Sequence, residues 1–276
     1  MTTTVRDRIT TTASGAKTLA RRIGTRLYDE LARLNYDREL VTRRNRTPAG
    51  AFRCYEPLNR HGDDAMLAEL ATHCRSDDVV YDIGANVGIY ALALATTTTT
   101  TSANANASAS ASDHPDRRVL AFEPSPRIVD RLRTNLRANA VGDQVDVYDC
   151  GIGDETGDRP FYVSTYPELS GFDRTSATRW GATVDNVITV SISRLDDLAD
   201  ELPPPDVIKI DVEGGAPAVV RGARETLDRH GPTLFVEIHE AGFDGDIAGE
   251  TREAVDDCGY DVAQRDGYLR CEPRRS

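Results

Sequence analysis

The sequence predicts an α/β protein: a doubly wound, mostly parallel sheet closed by a C-terminal antiparallel hairpin and preceded by an N-terminal helical extension. Three observations carry that prediction. From residue 79 onward, short β-branched runs alternate with helical stretches, a pattern that right-handed crossovers wind into a parallel sheet. The first run feeds a helix through Asp82-x-Gly84-x-Asn86-x-Gly88, a glycine-rich turn that lets backbone approach a ligand closely. The last two runs, 260–263 and 268–271, are joined by Asp266-Gly267, a tight hairpin turn.

Each element follows from local chemistry. Residues 1–13 read as disordered. Beyond them Leu19, Ile23, Leu27, Leu31 and Leu34 recur at helical spacing, with arginines on the other face. Pro48-Ala49-Gly50 ends that segment, so residues 1–60 are predicted as a basic helical extension and 61–276 as the main domain. A short helix is predicted over 63–74, with Asp63 or Asp64 as cap and Met66, Leu67 and Leu70 inward. The key strand 79–83 and its helix, to about Ala95, come next. Residues 96–112 are a Thr, Ala, Ser and Asn tract that builds no core, and are predicted as a surface insertion. Then come strand 118–122, helix 126–139, strand 145–150 and a turn at Gly151-Ile152. Short β pieces at 161–164 and 187–191 flank a polar loop with Tyr166, Phe172, Arg174, Arg179 and Trp180; such a loop is either a substrate lid or plain packing. Strand 206–210, one helix to about Arg229, strand 233–236, a helix near 249–258 and the hairpin complete the chain.

Composition narrows the function classes. The net charge is −12, and only Lys17 and Lys209 are lysines among 33 basic residues. An acidic, lysine-poor surface suits a salt-rich cytoplasm. Residues 1–60 carry +7 and the remainder −19. The basic arm is therefore read either as a peripheral contact for anionic lipid or as packing against the acidic body. No nucleic-acid partner is predicted. Five scattered cysteines without a C-x-x-C pair predict free thiols in a reducing compartment and no zinc site. No apolar run spans a bilayer, and no secretory signal is visible.

The chemistry gathers at the predicted strand ends. Asp82 stands at the start of the glycine turn, where a carboxylate repels phosphate and suits a cation such as the sulfonium and ammonium of S-adenosylmethionine. A dinucleotide site would want G-x-G-x-x-G there. Glu123 follows the second strand, 35 residues past Gly88; removing the 17-residue tract puts it near the spacing of a ribose-binding acid. Asp211, Glu213, Glu237 and His239 end the fourth and fifth strands. Topology should bring all of these to one crevice.

Asp82-Ile83-Gly84-Ala85-Asn86-Val87-Gly88, Phe122-Glu123-Pro124, Ile208-Lys209-Ile210-Asp211-Val212-Glu213-Gly214 and Val236-Glu237-Ile238-His239 resemble the ordered motifs of FkbM-type S-adenosylmethionine-dependent methyltransferases over about residues 76–240. The chain departs from that pattern at the low-complexity tract and at Gly215. The resemblance implies a Rossmann-like methyltransferase fold, S-adenosyl-L-methionine as cofactor and O-methylation, often of sugars or polyketide hydroxyls. It implies that Asp82, Gly84, Asn86 and Gly88 hold the methionine tail and Glu123 the ribose. Gly151 and Ile152 would border the adenine, and Asp211 would lie nearest the sulfonium. His239, with an ordinary pKa near neutrality, is the first candidate base; Glu213 and Glu237 are its rivals. Asp211, Glu213, Glu237 and His239 are also hard or borderline metal ligands, but their spacing does not demand a metal. The acceptor implied is a small or lipid-linked saccharide, a sugar hydroxyl or uronic-acid carboxyl in glycan biosynthesis. A cofactor-binding scaffold without catalysis, and a methyltransferase for a small non-sugar metabolite, are the alternatives. Lys209 is expected to pair with an internal acid such as Asp211 or Glu237.

Overall fold

The structure, a computed structural model, describes residues 24–25, 27–96, 116–238 and 245–274. The predicted disorder at 1–13 and all of the 96–112 tract except Thr96 lie outside the described residues.

The chain opens with helix α1 (27–38) and a hairpin of β1 (Arg43–Thr47) and β2 (Gly50–Cys54). Then come α2 (Ala65–His73), β3 (Val79–Ile83), α3 (Ile89–Thr96), β4 (Arg118–Phe122), α4 (Pro126–Asn139) and β5 (Val145–Tyr148). An excursion follows: β6 (Gly151–Ile152), β7 (Gly157–Ser164), α5 (Arg174–Ala177) and β8 (Val184–Ser193). The second half holds α6 (Leu195–Leu198), β9 (Val207–Ile210), α7 (Ala216–Gly222), α8 (Arg224–His230), β10 (Thr233–Glu237), α9 (Ile247–Asp257), β11 (Tyr260–Gln264) and β12 (Tyr268–Pro273).

The main sheet has seven strands in the order β11-β12-β10-β9-β3-β4-β5, with β12 antiparallel to β10 and the central five parallel. This is the predicted doubly wound sheet with its terminal hairpin. Strand alternation divides the core. Val80, Val119, Ala121, Val207 and Phe235 pack under α2, α3 and α4 on one face. Tyr81, Ile83, Leu120, Phe122, Ile208, Ile210, Leu234 and Val236 pack against α6 to α9 on the other. From β3 the chain winds out to β5, then returns to β9 and β10 on β3's other side. The strand order thus reverses at β3, and such a switch point opens a crevice at the carboxyl ends.

Four features differ from the sequence reading. The extension holds a hairpin, which that reading missed: Phe52 and Cys54 enter the same core as α3, and Pro48 to Gly50 form its turn. The exposed side of α1 carries Leu27, Leu31 and Leu34, whereas Ala32 and Tyr36 are buried. The cause lies beneath the helix. Asn135 donates to Tyr36 Oη (2.8 Å), and Arg131 stacks on the Tyr36 ring. Finally, the helix expected to run to Arg229 divides into α7 and α8, and the predicted turn at Gly151-Ile152 is strand β6, paired with β8. A Cβ on Gly222, the last residue of α7, would sit 1.8 Å from the Gly153 carbonyl oxygen, so this close crossing admits only glycine.

Candidate active site

The crevice at the switch point is a cavity of about 1420 Å³. Its floor is the turn after β3. Gly84 has φ +77°, and a Cβ there would lie 2.0 Å from the Asp211 carbonyl oxygen. Only glycine lets this turn lie against the end of β9. Asn86 adopts φ +51°. Its side-chain oxygen accepts from the Val87 amide (2.8 Å), and its own amide donates to Glu123 Oε2 (3.1 Å). Glu123 Oε1 accepts from the Ser125 amide (2.9 Å). The carboxylate therefore brackets the glycine turn and the start of α4, and it lines the cavity. Burial raises its pKa to about 7 against those two backbone hydrogen bonds, with a further push from Asp82. Gly84, Asn86, Gly151, Ile152, Asp211, Glu213 and Glu237 line the same cavity.

Two of the predicted cofactor residues are absent from the cavity wall. Asp82 does not face the cavity. It is fully buried and pairs with Lys209 in register across β3 and β9. Lys209 Nζ is 2.9 Å from Asp82 Oδ1, off the line of a good hydrogen bond, and 3.5 Å from Asp211 Oδ2. The ammonium also donates to the Gly84 carbonyl (3.0 Å) and lies 4.8 Å from the Tyr90 ring centre. Burial opposes its charge, but Asp82 and Asp211 outweigh it and hold the pKa above the ordinary lysine value. The expected Asp211 partner is present, and Asp82 is the nearer one. Gly88 is the other. It is absent from the cavity wall, and a Cβ there would meet the Leu132 side chain of α4, so it serves helix packing. His239 lies outside the described residues.

The residues present suit a cationic nucleoside. Glu123 has acceptor capacity left for hydroxyl groups, and Gly151, Ile152 and the acidic Asp211 line the same cavity. The family described as "Methyltransferase FkbM domain" matches residues 82–262.

The chain belongs to the FkbM methyltransferase family.

It is an S-adenosylmethionine-dependent methyltransferase. It is 29% identical over 216 residues to the 31-O-demethyl-FK506 methyltransferase FkbM of Streptomyces tacrolimicus, covering 68% of this chain and 71% of that protein. It is 30% identical over 185 residues to the hexuronic acid methyltransferase AglP of Haloferax volcanii, covering 66% of this chain and 64% of that protein. A solved structure of methyltransferase FkbM from Methylobacillus flagellatus KT superposes with a TM-score of 0.49 at 18% identity. That match covers 72% of this chain but only 45% of the solved one.

Beyond the family's motifs, two further walls close the crevice of this FkbM protein. One is the β7–β8 excursion. Phe172 lines the cavity and packs edge-on against Phe161. Arg179 is buried and ion-paired with Glu213, while Trp180 lies over the Arg179 guanidinium and remains half-exposed outside the cavity. The predicted lid loop thus contributes Phe172, not its tryptophan. The other wall comes from the N-terminal extension, with Tyr28, Glu56 and Arg60, and from His61 just after it. His61 Nδ1 is 2.8 Å from Asp64 Oδ2. Asp64 caps α2 by accepting from the Leu67 amide (2.9 Å), and Tyr90 Oη donates to both of its oxygens (2.9 and 2.8 Å). The sequence reading had Asp64 only as a cap. The visible signal was a histidine three residues before the cap residue Asp64, but nothing local shows that His61 lines the crevice. Among the described residues no group of three or more His, Cys, Asp or Glu is arranged to hold a metal ion.

Proposed function

We propose that the protein transfers a methyl group to an oxygen of a saccharide, either a sugar hydroxyl or a uronic-acid carboxyl, during glycan assembly. The observation that carries this reading is the polarity of the acceptor half of the crevice. Asp211, Glu213 and Glu237, at the strand ends, line the same cavity as Glu56, Arg60 and His61. Such a rim suits a ligand with many hydroxyls and disfavours an apolar polyketide. The Haloferax relative named for hexuronic acid supports the same class.

In this reading Glu123 accepts hydrogen bonds from the ribose hydroxyls, the turn through Gly84 and Asn86 approaches the methionine portion, and Gly151 and Ile152 cover the base. Asp211, held by Lys209, lies toward the reacting centre, with Glu213 and Glu237 on the acceptor side. Bound S-adenosylmethionine supplies an electrophilic methyl carbon. The protein aligns an acceptor oxygen with it and keeps water out. The test is transfer from tritiated S-adenosylmethionine to methyl β-D-glucuronoside, with uridine and a simple phenol as controls. Label in the glucuronoside supports the reading. Label only in the phenol sinks the saccharide class, and cofactor affinity with no transfer to any acceptor favours a scaffold.

We place the chain in a salt-rich, reducing cytoplasm, on its lysine-poor acidic surface and unpaired cysteines. No helix among the described residues is long and apolar enough to cross a membrane. We also propose peripheral contact with anionic lipid through the outward leucines of α1, which belong to the segment of net charge +7. The Leu27→Ser, Leu31→Ser, Leu34→Ser triple variant should lose flotation with phosphatidylglycerol vesicles at unchanged cofactor affinity. Equal flotation would remove the lipid contact.

A further inference from the structure

We propose that His61, the residue that follows the N-terminal extension, is the general base that removes the acceptor hydroxyl proton. The proposal rests on the hydroxyl branch of the reading above.

The geometry fixes the chemistry of the ring. Asp64 accepts from the Leu67 amide and from Tyr90 Oη. Its pKa is held below the ordinary value; burial works against this, and the hydrogen bonds from His61, Leu67 and Tyr90 outweigh it. Asp64 is therefore an ionised acceptor, and the His61 nitrogen 2.8 Å away must carry the proton. The neutral imidazole is then the Nδ1–H tautomer, which leaves a lone pair on Nε2. That nitrogen has no hydrogen-bond partner among the described residues, and the residue lines the crevice. A carboxylate that sets the tautomer of a cavity-facing histidine is the arrangement a general base requires.

The ring is also held. Its edge packs against the Tyr90 ring, 6.0 Å between centres at 85°. Lys209 lies 4.8 Å from the centre of that tyrosine ring, and Lys209 is the residue that holds Asp211. His61 is thus linked, through Tyr90 and Lys209, to the Asp211 assigned to the sulfonium. Tyr90 remains a donor to Asp64: burial, then the charges of Asp64, Glu237 and Asp211, hold its phenol above the ordinary value. The charged groups around His61 are Asp64 at the start of α2 and Arg60 beside it in sequence; Arg60 is turned onto the Tyr28 ring (5.2 Å). Two of the strand-end acids are engaged by cations, Glu213 by Arg179 and Asp211 by Lys209.

The step balances simply. The acceptor O–H bond breaks and its proton goes to Nε2. The oxygen pair forms the bond to the methyl carbon as the carbon–sulfur bond breaks, leaving a methyl ether and S-adenosylhomocysteine. The imidazolium then loses its proton to water. A carboxylate acceptor needs no base.

The test uses the full chain, tritiated S-adenosylmethionine and methyl β-D-glucuronoside, with the product divided into alkali-stable ether and alkali-labile ester. We expect ether. For His61→Gln we expect kcat at saturating S-adenosylmethionine to fall by about 10²- to 10⁴-fold, and cofactor affinity by calorimetry to be unchanged. Asp64→Asn should also lower kcat, by disturbing the tautomer. A His61→Gln rate within about threefold of wild type overturns the proposal, and so does exclusive ester formation, which leaves the saccharide reading standing. If the wild type labels no glucuronoside, that failure belongs to the acceptor class, and nitrogen NMR of the imidazole decides for His61: a proton on Nδ1 supports it, a proton on Nε2 overturns it.

Discussion

Two buried ion pairs flank the crevice, and they differ in what they face. Lys209 and Asp82 lie inside the sheet, with side chains 2% and 1% exposed. Arg179 and Glu213 lie at its edge, where Arg179 is 4% exposed but Glu213 is 18% exposed and lines the cavity. The first pair is sealed under α3 and clamps two strands and the Gly84 turn together. The second ties the end of β9 to the β7–β8 excursion. The glycine-turn side of the cavity is therefore framed by the core, whereas the Glu213 side is shaped by chain outside the parallel sheet.

Removing one member of a sealed pair leaves a charge with nowhere to go. Lys209→Met should destabilise the fold by about 3–5 kcal/mol, read from the midpoint of urea unfolding at fixed salt. Adding Asp82→Asn should restore much of that loss, because the stranded charge is gone. If the double variant is as unstable as the single one, the pair is not what holds β3 to β9.

Arg179→Met should cost less, about 1–3 kcal/mol, because Glu213 opens to the cavity and water can solvate it. Its main effect should be on the acceptor: a raised KM for the glucuronoside at unchanged affinity for S-adenosylmethionine. A stability loss as large as that of Lys209→Met would erase the distinction between the two pairs.

The same contrast explains what the sequence could and could not show. The helix Pro126–Asn139 and the cap at Asp64 match the sequence reading because each is announced locally, by a proline at the first turn or an acid before an apolar run. Glu123 could be placed in the crevice because it directly follows a strand. Asp82 was misdirected for a non-local reason: it lies opposite Lys209 in the β3–β9 register, and no local pattern specifies that pairing across so long a stretch of chain. The hairpin at 43–54 was hidden because Asn45, Phe52 and Cys54 are its only fully buried strand residues, and its turn looked like a helix stop. The N-terminal wall of the cavity, His61 included, could not be seen from motifs that begin at residue 82.

The pH dependence of cofactor binding sharpens the cofactor half. The folded pKa of Glu123 is about 7, above the ordinary 4.5. A raised carboxyl pKa means that the native state binds its proton more tightly than the unfolded chain. Its contribution to stability is therefore greatest below about pH 4.5 and is lost as pH rises through 7. Ribose binding has the opposite preference, since the ionised carboxylate is the better acceptor. Affinity for S-adenosylmethionine should weaken by up to about tenfold per pH unit below 7, in calorimetry from pH 8 to 5.5. A flat profile would mean that Glu123 is already ionised or lies outside the contact.

A smaller effect is expected at Gly151. An added Cβ would come within 2.7 Å of the Phe172 ring, and that ring can swing. Gly151→Ala should raise the cofactor Kd by about three- to tenfold with a stability change under about 1 kcal/mol. Combining it with Phe172→Leu should recover part of the loss.

The central claim is that the carboxylate after β4 grips the nucleoside of S-adenosylmethionine while the acid after β3 only holds the frame. Calorimetric titration of S-adenosylmethionine into Glu123→Ala tests it most directly. The account predicts a loss of about 1.5–3 kcal/mol in binding, roughly 10- to 150-fold in Kd, with unfolding still cooperative. Wild-type affinity in that variant would contradict it.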